Sequence, residues 1–115
     1  MKILVKLEYL ALLLFSLYLY IFVFEFSLLL LVVLLFVPDL SMIGYLLGNS
    51  AGAISYNIVH NVVFSTVLLL FGLHFKSDLL ISLSLIFFIH IFMDRTIGYG
   101  LKYLDNFKHT HLGWL

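Results

Sequence analysis

The sequence predicts an all-α integral membrane protein, a bundle of four transmembrane helices in up-down order. Three observations carry that prediction. Hydrophobic side chains make up 64% of the 115 residues and charged ones 10%, with a mean hydropathy of +1.21, whereas soluble domains average about 45–50% apolar and about 25% charged. Four stretches reach the roughly 20 mostly apolar residues that a membrane-crossing helix needs. The breaks between them fall on polar or glycine-bearing segments.

The first span covers about 4–23, and Phe24-Glu25-Phe26 turns the chain into the second, about 27–47. Gly48-Asn49-Ser50 breaks that helix, and the third runs over about 51–73. After His74 to Asp78, where Ser77 or Asp78 is placed to cap a helix start, the fourth runs over about 79–98. A polar-aromatic tail, 101–115, follows, and the whole chain reads as one domain. Glu8 interrupts the early apolar run after Lys2 and Lys6, which favours a retained first span over a cleaved leader. Lys2, Lys6, Arg95, Lys102 and Lys108 share the side of both termini, and Lys76 alone lies opposite. The positive-inside rule therefore puts both termini in the cytoplasm, with the protein in the cell membrane.

Composition also excludes several function classes. Six basic and six acidic residues give no net charge, and without a basic stripe no nucleic-acid partner is expected. With no cysteine, disulfides, thiol nucleophiles and Cys-ligated zinc are ruled out. Gly44 and Gly48 form a small-xxx-small pair that permits close helix approach and makes a homodimer one expectation. Pro38, inside the second span, removes one backbone donor and frees a carbonyl that must find another partner in lipid.

Depth is the informative coordinate for the polar residues. At 1.5 Å per residue, Asp39 lies about 12 Å, His60 about 13 Å and His90 about 12 Å inside the cytoplasmic end of the bundle, which places the expected polar site near the cytoplasmic leaflet. Asp94 follows His90 by four residues, one turn along the same helix face. Intramembrane acids and imidazoles are expensive, so they face inward, have partners and mark functional sites by default. Imidazole and carboxylate together suit zinc, iron or manganese. One arrangement has Asp39, His60, His90 and Asp94 as metal ligands, Glu8 as a further ligand or general base, and Arg95 beside them. Tyr56 and Asn57, on the face of His60, and Lys102 are then the candidates for binding a substrate, with Arg95 or Lys102 attracting an anionic head group. His109 and His111 in the tail are two apart, which allows ligation, while Trp114 suits an interfacial anchor.

Several of these residues also occur as an ordered set: Pro38-Asp39-Leu40-Ser41-Met42-Ile43-Gly44-Tyr45, Tyr56-Asn57 with His60, His90 with Asp94-Arg95, Gly98-Tyr99-Gly100-Leu101-Lys102-Tyr103, and Phe107-Lys108 with Thr110-His111-Leu112-Gly113. The set resembles the small bacterial membrane proteins of domain of unknown function family 4260, over nearly the whole chain. Leu104 stands where the family often has proline. The resemblance implies a membrane fold and no activity. A looser similarity, in Pro38-Asp39, His60 and His90 with Asp94, is to membrane-bound metal-dependent hydrolases. Three classes of function follow: a metal-dependent hydrolase acting on a lipid-like substrate, a small-molecule or ion binding and transport module, and a structural membrane subunit. The nearly all aliphatic and aromatic far half of the bundle counts against a channel.

Overall fold

A computed structural model describes residues 2–97, 109–110 and 113–114. Helix α1 (Lys2–Tyr18) runs on through a π-helical turn, Leu19–Val23. Helix α2 (Leu28–Leu34) is followed by a 3-10 helix, Val37–Leu47. Helices α3 (Asn49–Val59) and α4 (Val62–His74) make the third rod, and α5 (Asp78–Ile97) the fourth. Strands β1 (His109–Thr110) and β2 (Gly113–Trp114) form a short antiparallel ladder, His109 opposite Trp114. The protein is thus all-α apart from this ladder. Its four rods, Ile3–Val23, Leu28–Leu47, Asn49–His74 and Asp78–Ile97, are each long and apolar enough to cross a membrane.

Local chemistry sets the turns. Tyr20 is fully buried and its hydroxyl donates to the Ser27 carbonyl at 2.6 Å, tying the end of the first rod to the start of the second. Glu25 between them takes a left-handed φ of 54°. Lys76 does the same after α4, where the Ser77 N–H bonds the Gly72 carbonyl at 2.9 Å in the manner of a Schellman stop. Ser77 then caps α5 by accepting from the Leu80 N–H at 3.3 Å.

The fourth rod is the axis of the bundle. α1 and α4 both pack along α5, which is more than half buried, whereas each other rod turns most of its surface outward. Ile81, Leu85, Ile86 and Ile89 meet Tyr20 and Leu31 in the apolar core. Ser82 and Ser84 are buried beside them at little expense, because their hydroxyls donate to the Leu79 and Ile81 carbonyls of their own helix.

Two rods depart from the continuous helices expected. In the second, Pro38 has no N–H to give, and the Asp39 N–H bonds Phe36 at 3.0 Å, three residues back, so the helix restarts in 3-10 form. Three residues per turn stack the side chains in straight rows. Val37, Leu40, Ile43 and Leu46 form the outward row; Pro38, Ser41 and Gly44 form the row against α3; Asp39, Met42 and Tyr45 form a third, half-buried row. Gly44 is needed in this hairpin: a Cβ there would run into the Ser55 hydroxyl and come within 2.8 Å of the Ala51 carbonyl. Its close approach is therefore to α3 of the same chain. Gly48, at φ 121°, turns the hairpin.

The third rod breaks at His60 and Asn61, which leave helical geometry between α3 and α4. Asn61 bridges both halves. Its Nδ2 donates to the Asn57 and Ile58 carbonyls at 2.6 and 2.7 Å, and its Oδ1 accepts from the Phe64 N–H at 2.8 Å. Backbone groups that lipid would leave unpaired are thereby satisfied in place.

Candidate metal centre

The irregular rods bring four polar side chains to one point. Asp39 comes from the first turn of the 3-10 helix, His60 from the break, and His90 and Asp94 from successive turns of α5. Their donor atoms all lie within 4.8 Å of one another. His60 Nε2 is 3.2 Å from His90 Nε2 and 3.2 Å from Asp39 Oδ1. His90 Nε2 is 3.1 Å from Asp39 Oδ1 and 3.2 Å from Asp94 Oδ2, and His60 Nε2 is 3.9 Å from Asp94 Oδ2. An ion with tetrahedral ligands at about 2.0–2.1 Å separates them by about 3.3 Å. Four of these five separations sit close to that value, and the fifth is wider on the Asp94 side. The two carboxylates stand wider apart than the other pairs, within the 4.8 Å that bounds the group, so an ion would draw Asp94 inward.

Burial is uneven. The His60 and His90 side chains are 2% and 1% exposed, Asp94 14%, and Asp39 39%. The imidazoles are the floor of the site and Asp39 is its open edge.

The outer nitrogens show which way the lone pairs point. His60 Nδ1 lies 3.0 Å from the Tyr56 carbonyl, which can only accept, so Nδ1 carries a proton and in the neutral ring Nε2 turns a lone pair to the centre. Ser41 Oγ, 3.3 Å from the same nitrogen, donates its own proton to the Pro38 carbonyl at 2.7 Å. Ser41, His60 and Asp39 therefore resemble a nucleophile triad only by name: the nitrogen facing the serine holds a proton and cannot take one. Tyr56 stacks flat on His60, ring centroids 3.7 Å apart, and fixes the plane of the imidazole. His90 is buried, with Phe36 edge-on at 6.1 Å, and its Nδ1 meets no hydrogen-bond partner among the described residues. Pro38 and the 3-10 restart leave the Leu35 carbonyl without a donor in its own helix.

Arg95 is buried behind the centre. It donates to the His60 carbonyl at 2.8 Å, the carbonyl exposed by the helix break, and its guanidinium lies 5.8 Å over the Tyr9 ring. Glu8 is exposed on α1 and stands outside the four-residue group. Asn57 is half-buried one residue beyond Tyr56, and its carbonyl accepts from Asn61. Lys102 and His111 lie outside the described residues, and of His109 only the backbone in β1 is described.

The roles of Ser41 and Tyr9 were not read from sequence. Asn61 carried a usable signal, an Asn directly before an apolar run, which is a helix-start signature. The centre is also deeper than equal 1.5 Å steps suggested. With about 2.0 Å per residue in the 3-10 stretch, Asp39 lies about 16 Å from the Leu47 end. His60 lies about 16 Å from the Asn49 end, close to half of a roughly 30 Å hydrocarbon core.

The family model described as Domain of unknown function (DUF4260) matches residues 2–115. No curated protein and no solved structure matches the chain.

Proposed function

The chain belongs to the DUF4260 family of membrane proteins, and from the geometry of its buried His/Asp group we propose that Asp39, His60, His90 and Asp94 hold one divalent metal ion, zinc, iron or manganese, in a membrane hydrolase. The observation that carries this reading is the spacing of the donor atoms, with His60 presenting a bare Nε2 lone pair to two carboxylates and a second imidazole at contact distance. With both Nε2 atoms unprotonated, four acceptors so close repel unless a cation sits among them. Two carboxylates and two neutral imidazoles match a divalent charge, and the buried Arg95 guanidinium stands apart from this balance on the His60 carbonyl.

Bound there, the ion supplies Lewis acidity and a water acidic near neutral pH. The rest falls to the chain. Tyr56 and its carbonyl orient His60. Asp39, the least buried of the four, offers Oδ1 to the imidazoles, leaving its second oxygen to accept a proton from water. The lysine and arginine distribution supports an orientation with both termini in the cytoplasm.

Elemental analysis of the purified protein tests the metal: one divalent ion per chain is expected, and none in a His60→Ala, His90→Ala variant. Release of nitrophenol from p-nitrophenyl palmitate in mixed micelles tests the chemistry. Turnover that needs the metal supports hydrolysis, and its absence across chain lengths with metal bound refutes it.

A second reading has one observation in its favour. Arg95 is buried next to Asp94, so a single proton shared by the imidazoles, with the guanidinium, also balances two carboxylates. The centre would then bind protons, at the kind of broken helix that transporters use for ions. Metal-free protein that takes up protons on reconstitution would select that reading.

A further inference from the structure

We infer that the centre opens sideways, into the acyl chains, and so acts on an uncharged lipid whose polar, cleavable group reaches the bilayer interior. This deepens the hydrolase reading and rests on it. The open edge of the site is Asp39, and Asp39 lies at mid-span depth, about 16 Å from the Leu47 end of its rod. Its neighbours on the 3-10 helix are apolar and exposed: Phe36 on one side, then Leu40 and Ile43, which are 71% and 70% exposed. Because the 3-10 rows run straight, the outward row lies directly alongside the row of Asp39 and Met42 for the whole length of the helix. The exposed part of Asp39 is thus flanked by side chains that belong in lipid. The interior sides of the site are closed by the buried imidazoles, by Tyr56 and by Arg95.

This placement selects a substrate class. A charged head group would have to leave its hydration and sink about half the bilayer to reach Asp39, against a steep penalty. Arg95 does not offset that penalty, since its guanidinium is buried and engaged with the His60 carbonyl. A neutral long-chain ester or amide can lie among the acyl chains and carry its carbonyl to this depth.

The chain has no cysteine, so one introduced thiol labels uniquely. A nitroxide is placed at Met42→Cys, one turn from Asp39 on the same row, and separately at Leu40→Cys and Phe36→Cys, in phosphatidylcholine vesicles. Collision rates with oxygen, which concentrates in lipid, and with a nickel chelate, which stays in water, are then compared. At Met42 the oxygen-to-nickel ratio is expected to equal that at Leu40. A nickel-accessible label at Met42, with Leu40 still lipid-like, overturns the inference by showing an aqueous cleft. Phe36→Cys gives the same comparison from the other side if Met42→Cys does not fold. Metal content measured on the same samples separates the two ideas: loss of metal in the cysteine-free parent removes the hydrolase reading, while water at Met42 with metal bound removes only the lateral opening.

Discussion

Replacing Arg95 by methionine separates two roles by the sign of one measurement. If the guanidinium acts through its charge, recruiting anions or neutralising Asp94, its removal leaves the carboxylates more negative and tightens cation binding. If it acts by holding the break in place, removal loosens binding. The structure favours the second. Arg95 donates at 2.8 Å to a buried carbonyl that the α3–α4 break has deprived of a helical donor. A hydrogen bond from a charged donor contributes about 1.5–3 kcal/mol, and the cation over Tyr9 adds about 0.5–2 kcal/mol. Relief from burying a guanidinium offsets part of this, leaving about 2 kcal/mol to hold His60 in position. At 1.4 kcal/mol per factor of ten that is a loss of roughly 30-fold in metal affinity, inside the 10–100-fold range found when groups that orient ligands are removed. Competition against a zinc-sensitive dye in detergent measures it, with circular dichroism confirming that the helices remain. Arg95→Lys, with the charge kept and the planar fork lost, is expected to recover part of the affinity. Unchanged or tighter binding in Arg95→Met would refute the positioning argument.

Five further outcomes follow. Asn61→Ala removes three hydrogen bonds across the break and should lower stability to denaturant by about 2–4 kcal/mol, read from unfolding in micelles; a loss under 0.5 kcal/mol would mean that water replaces the side chain. Pro38→Ala restores an N–H that competes for the carbonyls near Leu35 and favours α over 3-10 geometry, turning Asp39 away; bound metal should fall well below one ion per chain, and full occupancy would contradict the role given to the proline. Gly44→Val sets a branched side chain against Ser55 and the Ala51 carbonyl, with an expected loss of about 1–3 kcal/mol in the same unfolding assay. Acidification should release the metal, because imidazole binds only when neutral and carboxylate only when ionised, so retention is complete at neutral pH and lost as pH falls. From sealed vesicles, lipid-permeant phenanthroline should strip the ion faster than EDTA, and equal rates would argue for a water-filled access path.

Much of this was legible in the chain because the bilayer makes a blunt demand. Four apolar runs of sufficient length announce four rods, and a carboxylate four residues after a histidine announces a shared face, as His90 and Asp94 show at 3.2 Å. That Asp39 and His60 meet them was inferred from matched depth, a weak argument in general but a useful one where stranded polar groups must find each other. What failed to show was irregularity. Between Tyr56 and Val62 only Asn61, as a helix-start residue, hints at a break; the break persists because Asn61 and Arg95 pair the groups it frees, and the part of Arg95 is revealed only by tertiary structure. Pro38 signalled a disturbance without saying that the eleven residues Val37–Leu47 would adopt three-residue turns. Glu8 was read from proximity to one end of the bundle, and depth alone could not tell that its side chain points outward.

The three-residue turn makes the second rod act as a numbered combination. Between Pro38 and Leu47, membrane contact, hairpin contact and reactive edge succeed one another at every step, so inserting or deleting a single residue moves each downstream side chain into the neighbouring duty by a third of a revolution. Ser41 would vacate its place beside His60 and Gly44 its groove on α3, with Leu40 and Ile43 arriving there after an insertion and Met42 and Tyr45 after a deletion. Only changes in multiples of three preserve the cipher, a constraint that ordinary transmembrane helices, with their drifting periodicity, do not impose on length variation.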